Sequence, residues 1–271
     1  MIIKEIKHSV QAVISTGPYE NQREMFEILA TLKEGEDVNI SMQELEKFNH
    51  QRLDLAVNTA KISLIEKQYS SMRFYEKDGK RYPSVTSILG WDVDWRISED
   101  ELNQYGSRGT IVHKLIEIYL TTGKWVDPQE VKELKEDIVI VLGGSLGLNW
   151  NDCSHKKFFE ANEKDIKVDK MEIEVINTEV GYGGRVDAIG TYKGEPAVFD
   201  WKTGNTSDFR QLGAYAVAIN PEVAIKTLII APVGPSDTKQ GYSRPKINDA
   251  PAGEFKAFVK ARSKFKLRFG I

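Results

Sequence analysis

The sequence predicts a protein of the α/β class, with a mixed central sheet flanked by helices and a small α+β extension at the N-terminus. Three observations support this fold. Strand-like segments, one helix and a further apolar strand follow one another between residues 171 and 231. Apolar residues recur at helical spacing between residues 98 and 142. Residues 1–70 combine alternating and helical patterns, so both strands and a helix are expected there.

The composition excludes several classes of protein. Of the 271 residues, 41% are hydrophobic and 28% are charged, which is typical of a folded globular chain. The net charge is −3, whereas a protein that coats nucleic acid without sequence preference is usually basic. Any DNA binding therefore requires a local patch. The single cysteine, Cys153, excludes an internal disulfide, a four-cysteine zinc site and a four-cysteine iron–sulfur cluster.

The first twenty residues have neither the apolar core of a secretion signal nor the arginine-rich pattern of a mitochondrial transit peptide. No apolar run approaches the ~20 residues that span a bilayer. Together with the single cysteine, this predicts a reducing, cytoplasmic location.

Residues 1–70 are expected to form a separate extension of two strands and a helix. Apolar residues alternate from Val10 to Ile14, and a second apolar run follows a turn. Ser41, with Glu44 three residues later, has the spacing of a capping box at the start of a long helix. An all-helical arm is the alternative. Residues 71–271 are expected to form the main domain.

The next segment is expected to contain a hairpin followed by helices. Asp78-Gly79 is a strong signal for a type I′ turn between two short strands. Helices are expected at Ser98–Tyr105, Gly109–Leu120 and Pro128–Leu142.

The second half of the chain is rich in strand patterns. Strands are expected at Met171–Thr178, Tyr182–Tyr192, Glu195–Thr203 and Thr227–Ala231, with a helix at Phe209–Ile219. Lys193-Gly194 is the tight turn that makes the second and third of these strands antiparallel neighbours. The segment 232–253 has no periodicity and is expected to be a long mobile loop. Residues 254–271 are expected to form a basic helix with phenylalanines.

Asp187, Asp200 and Lys202 are the most informative polar residues. Pairing around the Lys193-Gly194 turn brings the two carboxylates together, and the period of a strand puts Asp200 and Lys202 on one face. Such a set suits binding of Mg²⁺ or Mn²⁺ and orientation of a water. The alternative is a surface ion pair between Asp200 and Lys202. However, a charge at the end of an apolar strand is costly unless it is used or paired.

This set resembles the D…(D/E)xK signature of the PD-(D/E)XK nuclease superfamily. Gly109–His113 resembles the GxxxH motif of its RecB-type branch, and Gln211–Tyr215 resembles the QxxxY motif. The stretches RYPSVTSIL, GYGGRVDAIG and FDWKTG are most similar to the mitochondrial genome maintenance exonucleases and their phage relatives. The similarity covers roughly residues 72–231, and the order of the motifs along the chain makes it specific.

The resemblance implies a role for each matching residue. Asp187 and Asp200 would bind the metal, joined by the backbone carbonyl of Trp201. Lys202 would orient or help to deprotonate the attacking water and offset charge at phosphorus. His113 would be a metal ligand or a phosphate contact. The alternative for His113 is a histidine with satisfied hydrogen bonds on an otherwise apolar helix.

A further catalytic carboxylate is expected on the first strand of the sheet. Glu172 is preferred, but Glu174 has the same strand parity, so spacing alone does not separate them. Glu117, one helical turn after His113, is a third candidate or else a solvated residue.

Substrate contacts are expected from Gln211, Tyr215, Arg108 and Arg185. Gln211 and Tyr215 share one helix face, where they would position DNA phosphate or the catalytic lysine; Tyr215 is alternatively a core aromatic. Arg108 is expected at the start of a helix, whose N-terminus attracts anions. Arg185 lies two residues before Asp187 and shares its face of the strand. The C-terminal helix would either hold DNA by charge and stacking or dock through its phenylalanines.

The residues and the resemblance together predict a Mg²⁺- or Mn²⁺-dependent deoxyribonuclease without an iron–sulfur cluster. It is expected to be an exonuclease that acts on single-stranded DNA ends in replication, recombination or repair, leaves 5′-phosphate ends, and is encoded by a phage. One alternative is a structure-selective or restriction-type endonuclease on the same core. Another is a non-catalytic module that binds DNA ends or protein.

Overall fold

The computed structural model describes residues 5–17, 20–33, 36–69, 71–93, 97–219 and 224–271. These residues fall into two compact units. The N-terminal unit consists of residues up to 88 together with 262–271, and the sheet unit consists of residues 89–261. The boundary at residue 70 between an extension and a main domain stays a prediction.

The N-terminal unit begins with an antiparallel hairpin of β1 (Glu5–Gly17) and β2 (Glu20–Thr31). The long helix α1 (Val38–Gln68) packs on this hairpin. The apolar side chains that β1 and α1 bury are Ile6, Ile14, Leu45, Leu53, Ile62 and Ile65. Asp37, not Ser41, caps α1, because its carboxylate accepts from the backbone N–H groups of Asn39 and Ile40.

A second hairpin joins β3 (Phe74–Lys77) to β4 (Lys80–Pro83) through the predicted Asp78-Gly79 turn. Both turn residues have positive φ, 53° and 73°, as a type I′ turn requires. Asn58 of α1 accepts from the backbone N–H of Arg81 at 3.0 Å and donates to its carbonyl at 3.2 Å. These bonds fix the hairpin to the helix.

The sheet unit is built on five strands. They are β5 (Ile166–Asn177), β6 (Tyr182–Tyr192), β7 (Glu195–Lys202), β8 (Thr227–Pro232) and β9 (Lys246–Asn248). They lie in the order β5-β6-β7-β8-β9, and only β7 and β8 are parallel. A helical crossover between β7 and β8 explains the parallel pair. The predicted α/β class with a mixed central sheet is therefore confirmed.

The remaining helices correct several predicted boundaries. They are α2 (Val85–Gly90), α3 (Glu99–Thr122), α4 (Lys135–Gly143), α5 (His155–Asn162), α6 (Arg210–Ala218) and α7 (Pro251–Phe269). The predicted break between residues 105 and 109 is wrong, because α3 is continuous. Gly106 and Gly109 each cost about 1 kcal/mol in a helix interior, and burial of Ile111 and Leu115 outweighs that cost. Residues 128–134 form two 3₁₀ turns rather than α-helix.

The two faces of β7 have different roles. Ala197, Phe199 and Trp201 point into an apolar cluster that contains side chains of α3 and α5. The alternate residues include Asp200 and Lys202, which lie at the end of the strand. Both faces of β7 are therefore buried, and the face opposite the cluster carries Val198 and, at the strand end, Asp200 and Lys202.

The segment 232–253 was expected to be a loop without regular structure, and this prediction is wrong. It contains β9, which pairs with β8, and a bridge between Cys153 and Pro235. A strand of three residues is too short to show a period in the sequence. Among the described residues, no helix has the length and apolar character to cross a membrane.

Candidate metal centre and active site

The register of β6 and β7 brings Asp187 and Asp200 to one face of the sheet. Ala188 pairs with Phe199, so Asp187 and Asp200 occupy the next opposed positions. The Asp187 carboxylate accepts from the backbone N–H of Trp201 at 2.7 Å. The Lys202 ammonium lies 2.9 Å from the Asp200 carboxylate. The Lys193-Gly194 turn, with positive φ at both residues, thus produces the predicted carboxylate pair.

His113 reaches this pair from α3. Its Nε2 lies 2.6 Å from the backbone carbonyl oxygen of Trp201, and its Nδ1 lies 3.7 Å from Asp187 Oδ2. The two groups that the resemblance assigns to the metal, a histidine nitrogen and a backbone carbonyl, are therefore in direct contact.

Glu172 joins the same site from β5. The flanking pairs Met171–Ala188 and Ile173–Val186 place Glu172 opposite Asp187. Glu172 has a φ of 50° in the middle of a strand, a left-handed conformation that is strained for a residue with a Cβ. Its carboxylate, an Asp187 oxygen and a His113 nitrogen lie within 4.8 Å of one another.

Glu174, the alternative candidate on β5, is placed differently. It lies opposite Arg185 rather than Asp187, and its side chain is exposed. Glu117 is not part of the group either, because its carboxylate pairs with Lys114 on the same helix at 2.9 Å. The geometry therefore brings Glu172 into the site and leaves the other two candidate carboxylates outside it.

Burial makes the charges of this site depend on one another. Burial raises the pKa of Asp187 well above its usual value, and the Asp200 carboxylate raises it further. Burial also lowers the pKa of His113, and the attraction of Asp200 only partly offsets this. For Lys202, burial acts to lower the pKa, but Asp200 and Asp187 outweigh it and the pKa is raised. The site thus holds more acidic groups than its one ammonium neutralises.

This donor set fits a divalent cation. Asp187 and Glu172 supply carboxylate oxygens, His113 supplies a nitrogen, and Trp201 supplies a carbonyl oxygen, which are ligands that Mg²⁺ and Mn²⁺ accept. Asp200 lies outside the group of three and contacts Lys202 instead. A cation bound there would lower the cost of burying adjacent carboxylates.

The QxxxY residues connect α6 to Lys202. Gln211 Oε1 accepts from the Lys202 ammonium at 3.3 Å, and Gln211 Nε2 donates to the Tyr215 hydroxyl at 3.4 Å. Tyr215 is 3% exposed and lies against Gly184, where an added Cβ would overlap its ring. Gln211 and Tyr215 therefore position Lys202, and Gly184 leaves room for the tyrosine.

The two arginines expected to contact phosphate have other partners. Arg185 Nε lies 3.0 Å from the Glu172 carboxylate. Arg108 lies in the interior of α3, so its expected position at a helix N-terminus is wrong. It is 6% exposed and donates to the Thr203 carbonyl at 3.2 Å, while its Nε has no hydrogen-bond partner among the described residues. Its contact with the residue that follows Lys202 was not foreseen from the sequence.

The C-terminal helix α7 docks through its phenylalanines. Phe258 and Phe265 are fully buried, and Phe258 packs edge-on against Tyr182. Burial lowers the pKa of Arg262 to about 10, and this side chain donates to the Ile271 carbonyl. The exposed basic residues are Lys256, Lys260, Lys264, Lys266 and Arg268.

The comparison with family models agrees with this geometry. A model described as the PD-(D/E)XK nuclease superfamily matches residues 74–256, which is more than half of the chain. The chain belongs to the PD-(D/E)XK nuclease superfamily. The matched range contains every residue of the candidate site, and the predicted superfamily is confirmed. A search of curated proteins finds no match.

Membership in this superfamily makes the chain a nuclease that uses a divalent metal ion and acts on DNA. The assignment to the RecB-type branch, the kind of cleavage and the identity of the metal stay predictions. The residue roles also stay predictions.

Proposed function

We propose that this protein is a Mg²⁺- or Mn²⁺-dependent exonuclease that degrades DNA from single-stranded ends. The observation that carries the proposal is the placement of Asp200 and Lys202 at the end of β7 next to Asp187 in the middle of β6, with His113 and Glu172 beside them. We assign the metal to Asp187, Glu172, His113 and the Trp201 carbonyl. Asp200, which was also expected from the sequence to bind the metal, contacts Lys202 and is assigned to that lysine instead. The bound ion would supply Lewis acidity at phosphorus and a more acidic water.

The protein groups have separable tasks in this proposal. Lys202 donates to Asp200 and Gln211, so its ammonium has one preferred direction and can hold a water or a phosphate oxygen. Asp200 fixes Lys202, and the Trp201 N–H fixes Asp187 at 2.7 Å. Rigid placement of such groups before the substrate arrives is the largest contribution that a protein makes to this chemistry.

The preference for DNA ends rests on the RecB-type motifs. GxxxH and QxxxY are present together with the catalytic strand, and QxxxY residues reach Lys202. We therefore place the protein in the RecB-type branch beside the mitochondrial and phage exonucleases, with a role in replication, recombination or repair. A cytoplasmic location belongs to the same proposal.

A comparison of linear and circular DNA tests the proposal. With Mg²⁺, we expect a linear single strand to be degraded and a covalently closed circle of the same sequence to survive. A chain with Asp200→Asn, purified in the same way, controls for contaminating nucleases. Addition of EDTA should stop degradation.

Other outcomes contradict particular parts of the proposal. Rapid nicking of the circle would favour the endonuclease. Resistance of both substrates, with DNA binding retained, would favour a non-catalytic binding module. Degradation at an unchanged rate in EDTA would exclude the metal-dependent mechanism.

A further inference from the structure

A second cluster of metal-ligand side chains lies in the N-terminal unit. His8 lies on β1, and Glu46 and His50 lie one turn apart on α1. Each residue offers one ligand atom, and the three atoms lie within 4.8 Å of one another. All three residues precede the range 74–256 that matches the nuclease family, so the nuclease chemistry does not account for them.

We propose that His8, Glu46 and His50 bind a divalent transition-metal ion, with Zn²⁺ as the best fit. Two imidazoles and one carboxylate are a donor set found in zinc sites with three protein ligands and one water. Mg²⁺ and Ca²⁺ prefer oxygen ligands, so the two histidines select against them. The cluster is therefore chemically distinct from the carboxylate-rich site of the sheet unit.

The distances in the cluster suit a shared ion. His50 Nε2 and Glu46 Oε1 are 3.9 Å apart, which is too long for a hydrogen bond. Ligand atoms at ~2.1 Å from a tetrahedral ion lie about 3.4 Å apart. The rings of His8 and His50 have centroids 5.8 Å apart and an angle of 54° between their planes, so they are not stacked. Small side-chain rotations complete the site.

Asn49 holds the strand and the helix together beside this cluster. It is fully buried, and its side-chain amide donates to the His8 carbonyl at 2.7 Å. The relative position of His8 and His50 is therefore fixed by the fold. The same amide nitrogen lies 3.3 Å from His8 Nδ1. A ring that binds the ion through Nε2 carries its proton on Nδ1, and because the Asn49 amide nitrogen is also a donor, ion binding would require this long contact to open.

An ion at this site would link β1 directly to α1. Because it would bind the folded unit and not the unfolded chain, it would stabilise the fold by mass action. The site would therefore be a structural metal site that stabilises the N-terminal unit, and it would take no part in DNA cleavage.

Equilibrium dialysis of the full chain against Zn²⁺ tests this proposal by counting bound ions. The wild type is compared with His50→Ala and with Asp187→Asn, which removes a ligand of the other site. We expect His50→Ala to lose one bound ion, or to bind it at least about tenfold more weakly, since even loss of a supporting residue costs that much. Asp187→Asn should retain that ion. Glu44→Gln, a change at an exposed carboxylate of α1 outside the cluster, is the matched control.

A thermal measurement gives a second readout that does not depend on cleavage. Zn²⁺ should raise the melting temperature of the wild type and of Glu44→Gln, and EDTA should reverse the rise. His50→Ala should show a smaller rise than the wild type, and the double variant His50→Ala, Asp187→Asn should lose the part that comes from the sheet unit. His50 is exposed, so this variant is expected to fold. A folded His50→Ala chain that binds as many Zn²⁺ ions as the wild type, with the same affinity, would overturn the proposal.

Discussion

The two clusters of metal-ligand side chains differ in how much water reaches them. In the sheet unit, the side chains of Asp187 and Asp200 are 14% and 4% exposed. In the N-terminal unit, those of Glu46 and His50 are 56% and 58% exposed. Burial makes each charge of the first cluster depend on its neighbours, as the raised pKa of Asp187 and the lowered pKa of His113 show. Water screens the charges of the second cluster.

This difference explains why only one cluster was predicted from the sequence. A carboxylate that directly ends an apolar strand is costly, so Asp200 after AVF stands out in the sequence. His8 is a half-buried polar residue of a strand, and Glu46 and His50 are ordinary polar residues on exposed positions of a helix. Only the packing of β1 on α1 brings the three residues together, and no local sequence pattern predicts that packing.

Replacement of Asp200 by Asn is expected to have the largest effect. The variant keeps the side-chain volume but removes the charge that orients Lys202 at 2.9 Å. The initial rate of Mg²⁺-dependent cleavage of an end-labelled single strand should fall at least about a hundredfold. The variant Glu44→Gln, which changes an exposed position of α1, should cleave at the wild-type rate. A folded Asp200→Asn chain that keeps more than roughly a tenth of the wild-type rate would contradict the assigned site.

His155 tests the cost of burial outside both clusters. It is 2% exposed, neither ring nitrogen has a hydrogen-bond partner among the described residues, and burial lowers its pKa to about 4. The unfolded chain binds this proton near pH 6.5. The wild type should therefore be fully stabilised above pH 6.5 and lose about 3 kcal/mol by pH 4, with only a few tenths of a kcal/mol more lost below that.

The control variants isolate this contribution. In His155→Leu, the free energy of unfolding, measured by urea titration between pH 7 and pH 4, should decline less steeply than in the wild type. His50→Leu, at an exposed position, shows how far replacement of any histidine changes the profile. Parallel curves for wild type and His155→Leu would mean that this histidine is solvated.

The fold was predictable where the chemistry of single residues determines the backbone. Asp78-Gly79 and Lys193-Gly194 adopt positive φ and form the predicted hairpin turns. The second turn sets the register that brings Asp187 to Asp200, so the core of the site followed from the sequence. The errors have a different origin. Gly106 and Gly109 do not break α3, because tertiary burial of its apolar face decides the outcome.

Other features of the site depend on contacts between distant segments. The left-handed backbone at Glu172 is not visible in the residue type, since nothing local requires it. The contact of Arg108 with the Thr203 carbonyl depends on how α3 packs against the end of β7. Spacing along the chain cannot supply either of these.

Substitution of Glu172 should have a smaller effect on the cleavage rate, and substitution of Glu174 provides a matched comparison on the same strand. Both are carboxylates on the same strand face, but Glu172 lies within the site and Glu174 is exposed. Glu172→Gln should lower the cleavage rate about 10–100-fold, in the range of changes that disturb a metal site. Glu174→Gln should stay close to the wild type. The reverse result would show that β5 supplies its carboxylate in another register.

The smallest expected effect concerns the lysines of α7. Truncation of this helix is a poor test, because Phe258 and Phe265 are fully buried. Lys256 and Lys260 are exposed and one turn apart, so the double change to Gln alters charge while sparing the core. If both contact phosphate, the slope of log affinity against log salt for a single strand should become shallower by about 1.4, since each contact contributes about 0.7. The double variant Lys47→Gln, Lys67→Gln on α1 has the same net charge and should leave the slope unchanged. Equal slopes for both double variants and the wild type would show that these lysines of α7 do not touch DNA.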